Sequence, residues 1–460
     1  MYDLATIWLI VPMILIGLGA VLVLIMGTFK QVTDGMLYYT VLITLGLTLF
    51  ELLLRLHAPY ELAFGHSFIF DDQATMFKML IIGLVTAVII YSRASIETYK
   101  SQIAEFYSLV LLASMGMMLL VSASHIVTIF LGIELMSLPL YALVALYRDS
   151  KAATEAALKY FITGALSSGL LLFGFAWLYG ATGSMELDTL ASTITTADPA
   201  WLLTAAAFIV AGIAFKFGVA PFHMWVPDVY EAAPTPVTAI IATAPKVAMT
   251  ALLLNIFQFV TIAALAKMLI VLAIISMLLG NIVALSQNNF KRMLAYSSVG
   301  HMGIILLAVA NNSPTAAIIY IAIYGITTLL AFAVLLNIKI NYQEIMAISE
   351  LSGLAKDYPL SGFALLCAMF SMAGVPPLVG FMAKFMVLDV IITNQHYLWA
   401  IILVMSSVIG AVYYIRVIKT VYFKPANDPV IALSSIASKS LLALNVTLLI
   451  ILGVRPDLMF

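Results

Sequence analysis

The chain has 460 residues, of which 64% are hydrophobic and 9% charged. A water-soluble domain carries charge on roughly a quarter of its residues, so that class is excluded. Lys and Arg number 21 against 22 Asp and Glu, which leaves no basic excess to hold a phosphate backbone and excludes nucleic acid as a partner. One cysteine, Cys367, and six histidines without ligand spacing leave no intramolecular disulfide, cysteine zinc site or self-contained iron–sulfur ligation.

About 20 apolar residues cross the roughly 30 Å of bilayer hydrocarbon. In chain order, apolar runs predict spans over 5–27, 36–54, 74–91, 105–122, 126–147, 152–180, 201–220, 236–260, 265–286, 290–310, 314–337, 359–393, 397–420 and 436–454. The expected fold is an all-α integral membrane protein of about 14 transmembrane helices, with the lipid bilayer as its solvent. The first run lacks a basic flank and is long enough to span, so no cleavable signal is expected. Two spans are expected to be discontinuous. The seventh runs into Pro221, Pro227, Pro234 and Pro236, and the twelfth contains Gly374, Pro376 and Pro377, where a straight helix needs backbone donors that proline lacks.

The breaks share a string, Gly218-Val219-Ala220-Pro221 and Gly374-Val375-Pro376-Pro377. They lie five spans apart, and an odd offset turns the second unit upside down, the plan of an inverted repeat. The domains expected are an N-terminal three-helix segment (1–95), a first five-helix repeat (100–262), a second, inverted five-helix repeat (263–422) and a C-terminal transmembrane helix (430–460). Alternate loops hold Lys30; Arg93 and Lys100; Arg148 and Lys151; Lys291 and Arg292; Lys339 and Lys356; and Arg416, Lys419, Lys424 and Lys439. The other loops hold little beyond Arg55, Lys267 and Arg455, so the positive-inside rule places both termini outside.

Charge deep in a span costs about 2.5–3.5 kcal/mol or more on insertion scales, so each instance needs a reason. Five stand out: Glu134, Lys159, Lys216, Lys246 and Lys384. A structural ion pair is the bland explanation, but one carboxylate cannot pair with four lysines. The remaining lysines must be hydrated internally or able to shed their protons, and a lysine that can do so is a proton carrier. His223 beside the first break, and His301 and Tyr296 in the tenth span, are accessory relay candidates. Asp228 and Trp225 read as an interfacial turn, Ser167 and Ser168 as a small-residue helix contact, and Lys291-Arg292 as a topology signal. No GxxxxGK[ST] or GxGxxG phosphate-binding string occurs.

Three strings carry a family resemblance: Leu131-Gly132-Ile133-Glu134-Leu135-Met136-Ser137-Leu138-Pro139, Lys216-Phe217-Gly218-Val219-Ala220-Pro221-Phe222-His223-Met224-Trp225, and Phe290-Lys291-Arg292-Met293-Leu294-Ala295-Tyr296-Ser297-Ser298. Here, and over nearly the whole chain from about residue 70, the sequence resembles the antiporter-like membrane subunits of respiratory complex I. Lys384 stands where the M branch of that family carries glutamate, and the chain stops soon after its last span where the L branch continues, so the N branch fits best.

The resemblance implies a proton-translocating subunit of an NADH:quinone oxidoreductase with no redox chemistry of its own. Glu134 would pair with Lys216, Lys246 would link onward to Lys384, and Lys159 would lie near the glutamate. The chain would bind no cofactor. NADH, FMN, iron–sulfur clusters and quinone would belong to partner subunits, among them further antiporter-like chains of the membrane arm. A bacterial cytoplasmic (inner) membrane is expected rather than a mitochondrial one. Two rival readings remain: an Mrp-type cation/proton antiporter or membrane-bound hydrogenase subunit, and a non-conducting scaffold. Sodium transport would need clustered oxygen ligands; no second carboxylate deep in a span is expected near Glu134, and Asp389 in the twelfth span is the other candidate.

Overall fold

The computed structural model describes residues 7–58, 60–96, 102–147, 149–260, 262–340, 344–426, 430–433 and 435–459; Lys100 and Arg148 lie outside these. The principal helices are α1 (Val11–Gly27), α2 (Asp34–Leu53), α3 (Asp72–Ile96), α4 (Ile103–Val121), α5 (Ile126–Val144), α6 (Lys151–Thr182), α7 (Pro199–Phe217), α8 (Trp225–Ala232), α9 (Thr235–Ala242), α10 (Ala244–Phe259), α11 (Ala263–Leu285), α12 (Phe290–Ala310), α13 (Pro314–Asn337), α14 (Pro359–Ala373), α15 (Val379–Thr393), α16 (Tyr397–Phe423) and α17 (Ile436–Val454). Among the described residues, 12 helices are long and apolar enough to cross a membrane, with Thr235–Phe259 taken as one, while α1 and α14 are apolar but shorter. The molecule is a nearly all-helical, multi-pass membrane protein.

Both expected breaks occur. α7 ends at Phe217 and Gly218 turns the chain with φ 74; α14 ends at Ala373 and Gly374 does the same with φ 83. Only glycine enters that left-handed region without a Cβ penalty. A third break was not expected, because the run over 236–260 reads as one span. Pro245 has no N–H for the carbonyl one turn back, and Thr243 leaves helical geometry at φ −119, ψ −83. The Thr243 hydroxyl donates to Ala239 O at 2.7 Å, standing in for a missing backbone donor.

The chain forms two compact units: residues 1–89, 96–216 and 244–265, and residues 90–95, 217–243 and 266–460. In the first, α4 and α5 cross closely, with Gly132 lying where a Cβ would come 2.9 Å from Leu120 Cα, the small-residue packing that membrane helices use. α6 and α7 pack the same way, Ser167 donating to Gly212 O at 3.1 Å. A hairpin of β1 (Glu61–Ala63) and β2 (Phe68–Phe70) links α2 to α3. In the second unit, α13 packs against both halves of the broken pair α14 and α15. β3 (Ile338–Ile340) pairs antiparallel with β4 (Val430–Ala432).

A charged lattice braces one end of the second unit. Arg292 reaches Asp228 at 3.1 Å and Glu231 at 2.8 Å, so Asp228 is an ion-pair partner as well as a turn residue. Lys291, at the buried start of α12, donates to Ala233 O at 2.8 Å and lies 3.5 Å from Glu344, which also accepts the Thr235 hydroxyl at 2.6 Å. Lys291 is therefore a structural cation, and not only a topology signal. Burial alone would raise the Glu344 pKa, but the Lys291 ammonium and the Thr235 hydrogen bonds outweigh it and hold the carboxyl below its ordinary value. A depressed folded-state pKa gives stability that is present above the unfolded value, about 4.3 for glutamate, and lost as pH falls through the lower folded value. The thermal midpoints of wild-type and Glu344→Gln complexes should differ by a constant amount between pH 5 and 8 and begin to converge only as pH falls below the unfolded value of about 4.3 toward the lower folded one. A gap that shrank above pH 5 would show another group at work.

Candidate functional site

The first cluster lies in the first unit and is built on one face of α5. Glu134, Ser137 and Tyr141 fall at i, i+3 and i+7, which stacks them on one side of a helix. Lys216 sits in the last turn of α7, where the carbonyl end of the helix dipole favours a cation. Its Nζ donates to Tyr141 Oη at 3.0 Å and Ser137 Oγ at 3.3 Å, and lies 3.9 Å from Glu134 Oε1. The Ser168 hydroxyl donates to Glu134 Oε1 from α6. Lys216 is buried, while Glu134 keeps 24% of its side chain exposed, so the carboxylate forms the open edge of the pair.

The second cluster lies in the second unit at the other break. Beyond Ala373, Pro376 and Pro377 have no N–H to offer, so the final carbonyls of α14 lack helical donors. Lys384 supplies them, donating from Nζ to Met372 O at 2.8 Å and Ala373 O at 3.0 Å. His301 faces a set of tyrosines: Nδ1 meets Tyr320 Oη at 2.8 Å and Nε2 meets Tyr414 Oη at 3.0 Å. Tyr414 continues to Ser297 Oγ at 2.5 Å, and Tyr324 donates to Ser298 Oγ at 2.8 Å. A cavity of about 20 Å³ is lined by Lys384, His301, Tyr320 and Tyr324, room for about one water. Lys384 and His301 thus share a polar pocket.

Gly374 packs tightly against the lysine stem, since a Cβ there would come 2.9 Å from Lys384 Cδ at a φ of +83. Gly374→Ala should cost about 1–2 kcal/mol in backbone strain and displace the lysine, lowering proton translocation in assembled complexes. Unchanged translocation would show that the position of Lys384 is not critical.

The other expected residues fare differently. Lys246 is buried in the first turn of α10, immediately after the Thr243 break. His223 is buried, its Nδ1 has no partner among the described residues, and its ring meets Tyr296 edge-on with centroids 6.1 Å apart. Lys159 is not a buried charge. Its side chain is 50% exposed and pairs with Glu155 at 2.8 Å, because residues four apart share a helix face and that face of α6 points outward. Ser168 is more than a packing residue, since it binds Glu134. A buried lysine that the sequence reading passed over, Lys78, lies in the second turn of α3 with its Nζ 4.8 Å from the Phe68 ring centroid.

Comparison with known proteins places this geometry. Residues 123–410 match the family model described as NADH:quinone oxidoreductase/Mrp antiporter, transmembrane. NADH-quinone oxidoreductase subunit N of Coxiella burnetii is 40% identical over 98% of this chain and 96% of its own length. The chain belongs to the NADH-quinone oxidoreductase subunit N family. Subunit N of Nitrosomonas europaea is 44% identical over 86% of this chain and 84% of its own length. A chain of respiratory complex I from Thermus thermophilus, solved with bound aureothin, superposes with a TM-score of 0.86 at 32% identity, covering 97% of this chain and 98% of that one. A chain of the archaeal membrane-bound sulfane sulfur reductase shares the fold, with a TM-score of 0.85 at 24% identity.

Proposed function

We propose that the chain is a proton-translocating membrane subunit of an NADH-quinone oxidoreductase, assembled with other membrane-arm subunits and further antiporter-like chains. One observation carries the reading: a buried lysine at a helix break, ringed by hydroxyls and 3.9 Å from a single carboxylate. An ammonium held this way responds to charge. While Glu134 is ionised and near, its field keeps Lys216 protonated; when a change in neighbouring charge weakens that field, the proton leaves.

Protons would pass from Lys216 through Lys246 to Lys384, with His301 and its tyrosines, and His223 with Tyr296, as accessory carriers. Lys159, pointing outward with Glu155, would act on Glu134 through its field and carry no proton. The bilayer would be crossed about 14 times, in the three-helix, two-repeat and terminal-helix arrangement expected from sequence, with both termini on the periplasmic side of a bacterial inner membrane. In that orientation α7 runs inward and α15 outward. Lys384 then lies nine residues, roughly 14 Å, from the outer end of α15, so the sequence of transfers moves protons outward. Quinone reduction elsewhere in the complex would supply the energy, and NADH, FMN, iron–sulfur clusters and quinone would be held by partner subunits.

Glu134→Gln tests the pairing. The amide still accepts from Ser168, but the field on Lys216 is gone. Translocation in proteoliposomes, measured by quenching of a pH-sensitive dye during quinone reduction, should fall several-fold, whereas Glu134→Asp should retain most of it. Equal activity of the Gln variant and wild type would exclude Glu134 as the control charge.

A further inference from the structure

Another set of ligating groups lies away from the lysines, within the first unit. His66 in the β1–β2 turn, with Glu186 and Asp188 in the connection between α6 and α7, offers one donor atom per residue, and these atoms lie within 4.8 Å of one another. Their placement is fixed by backbone pairing through residues 123–125. Phe68 bridges Ala123 on one side and His125 bridges Glu186 on the other. Ser124 N donates to Ser67 O at 3.3 Å, Leu187 N donates to Ser124 O at 2.9 Å, and the Ser124 hydroxyl donates to His66 O at 2.6 Å. The donors therefore stand on a small hydrogen-bonded lattice.

His66 Nδ1 lies 3.2 Å from Asp188 Oδ2. Two ligands bound at about 2.0–2.1 Å to a tetrahedral ion stand about 3.3 Å apart, so this pair stands at the spacing such an ion needs, and the third donor must close in from within 4.8 Å. Thr189 orients both carboxylates: its N–H donates to Asp188 Oδ1 at 2.8 Å and its hydroxyl to Glu186 Oε2 at 3.0 Å. Support of this kind is what outer-shell partners give a metal ligand; Asp188 Oδ2, which meets His66 Nδ1 in this structure, would exchange that contact for the ion. Two carboxylates and a neutral imidazole would balance a doubly charged cation.

We propose that His66, Glu186 and Asp188 form a divalent-metal site of the zinc class, with water in the fourth position, clipping the β1–β2 hairpin to the α6–α7 connection. The imidazole nitrogen favours Zn²⁺ over Mg²⁺ and Ca²⁺, which take oxygen sets. The half-exposed His66 and Asp188 side chains leave the ion an entry path.

The test uses the intact detergent-purified complex, stripped with EDTA, equilibrated with Zn²⁺ by dialysis and assayed for bound zinc. Wild type should hold one equivalent more than His66→Ala or Asp188→Asn at pH 7.5. Zinc should raise the thermal midpoint of wild type and not of the variants, while metal-free quinone reductase activity stays equal in all three. Should His66→Ala fail to assemble, Glu186→Gln makes the same comparison. Equal zinc content in wild type and assembled variants would overturn the proposal.

Discussion

Lys216→Ala is expected to leave an assembled complex whose proton translocation falls at least tenfold. Alanine is a good helix former, and Glu134 keeps the Ser168 hydroxyl and its partial exposure to water, so neither α7 nor the carboxylate is stranded. What disappears is the cation beside Glu134 and the proton it carries. Quinone reductase activity should fall in parallel if the two processes are obligatorily coupled. A stable complex that pumps at the wild-type rate would remove Lys216 from the account.

Lys384→Ala is the second large effect, and its cause is different. Lys384 both carries charge and supplies the donors for the Met372 and Ala373 carbonyls. Two buried acceptors left unsatisfied cost about 1–3 kcal/mol each, so the thermal midpoint should drop as translocation is lost. Lys384→Met removes the charge while refilling most of the volume, and Lys384→Arg retains donors for both carbonyls. Arginine should therefore recover the stability without recovering translocation, since its guanidinium does not give up a proton. Recovery of both would mean that Lys384 is needed only to tie the break together.

Much of the fold was legible because the bilayer imposes so simple a rule. Long apolar runs had to be helices, and Pro221, Pro376 and Pro377 had to interrupt them. Pro245 carries a weak signal as a breaker, since it sits in the middle of a continuous apolar run and proline is tolerated within membrane spans. Charge in apolar surroundings marked Glu134, Lys216, Lys246 and Lys384. It also marked Lys159, whose half-exposed side chain pairs with Glu155 four residues earlier. Lys78 carries little sequence signal, because a lysine near the start of a span can ordinarily reach the interface.

The hydroxyls were the harder part. Tyr141, Tyr320, Tyr324 and Tyr414 look like packing or interface aromatics one at a time. Their roles appear only when α13 and α16 bring three of them around His301, and when α5 turns Tyr141 toward Lys216. For Ser137 and Tyr141 a sequence signal existed, the spacing of three and seven residues from Glu134. Nothing local distinguished Tyr414 from Tyr413, which instead donates to Asn281 at 2.9 Å.

The central claim is that Lys216 changes its protonation state, and Lys216→Arg tests it most directly. Arginine preserves a cation beside Glu134 and donors for Tyr141 and Ser137, yet stays protonated throughout a cycle. The measurement is the number of protons moved per quinone reduced by assembled complexes in proteoliposomes. The account predicts that Lys216→Arg falls below wild type to the level of Lys216→Ala. A ratio equal to wild type would contradict it, because a fixed positive charge would then do everything that Lys216 does.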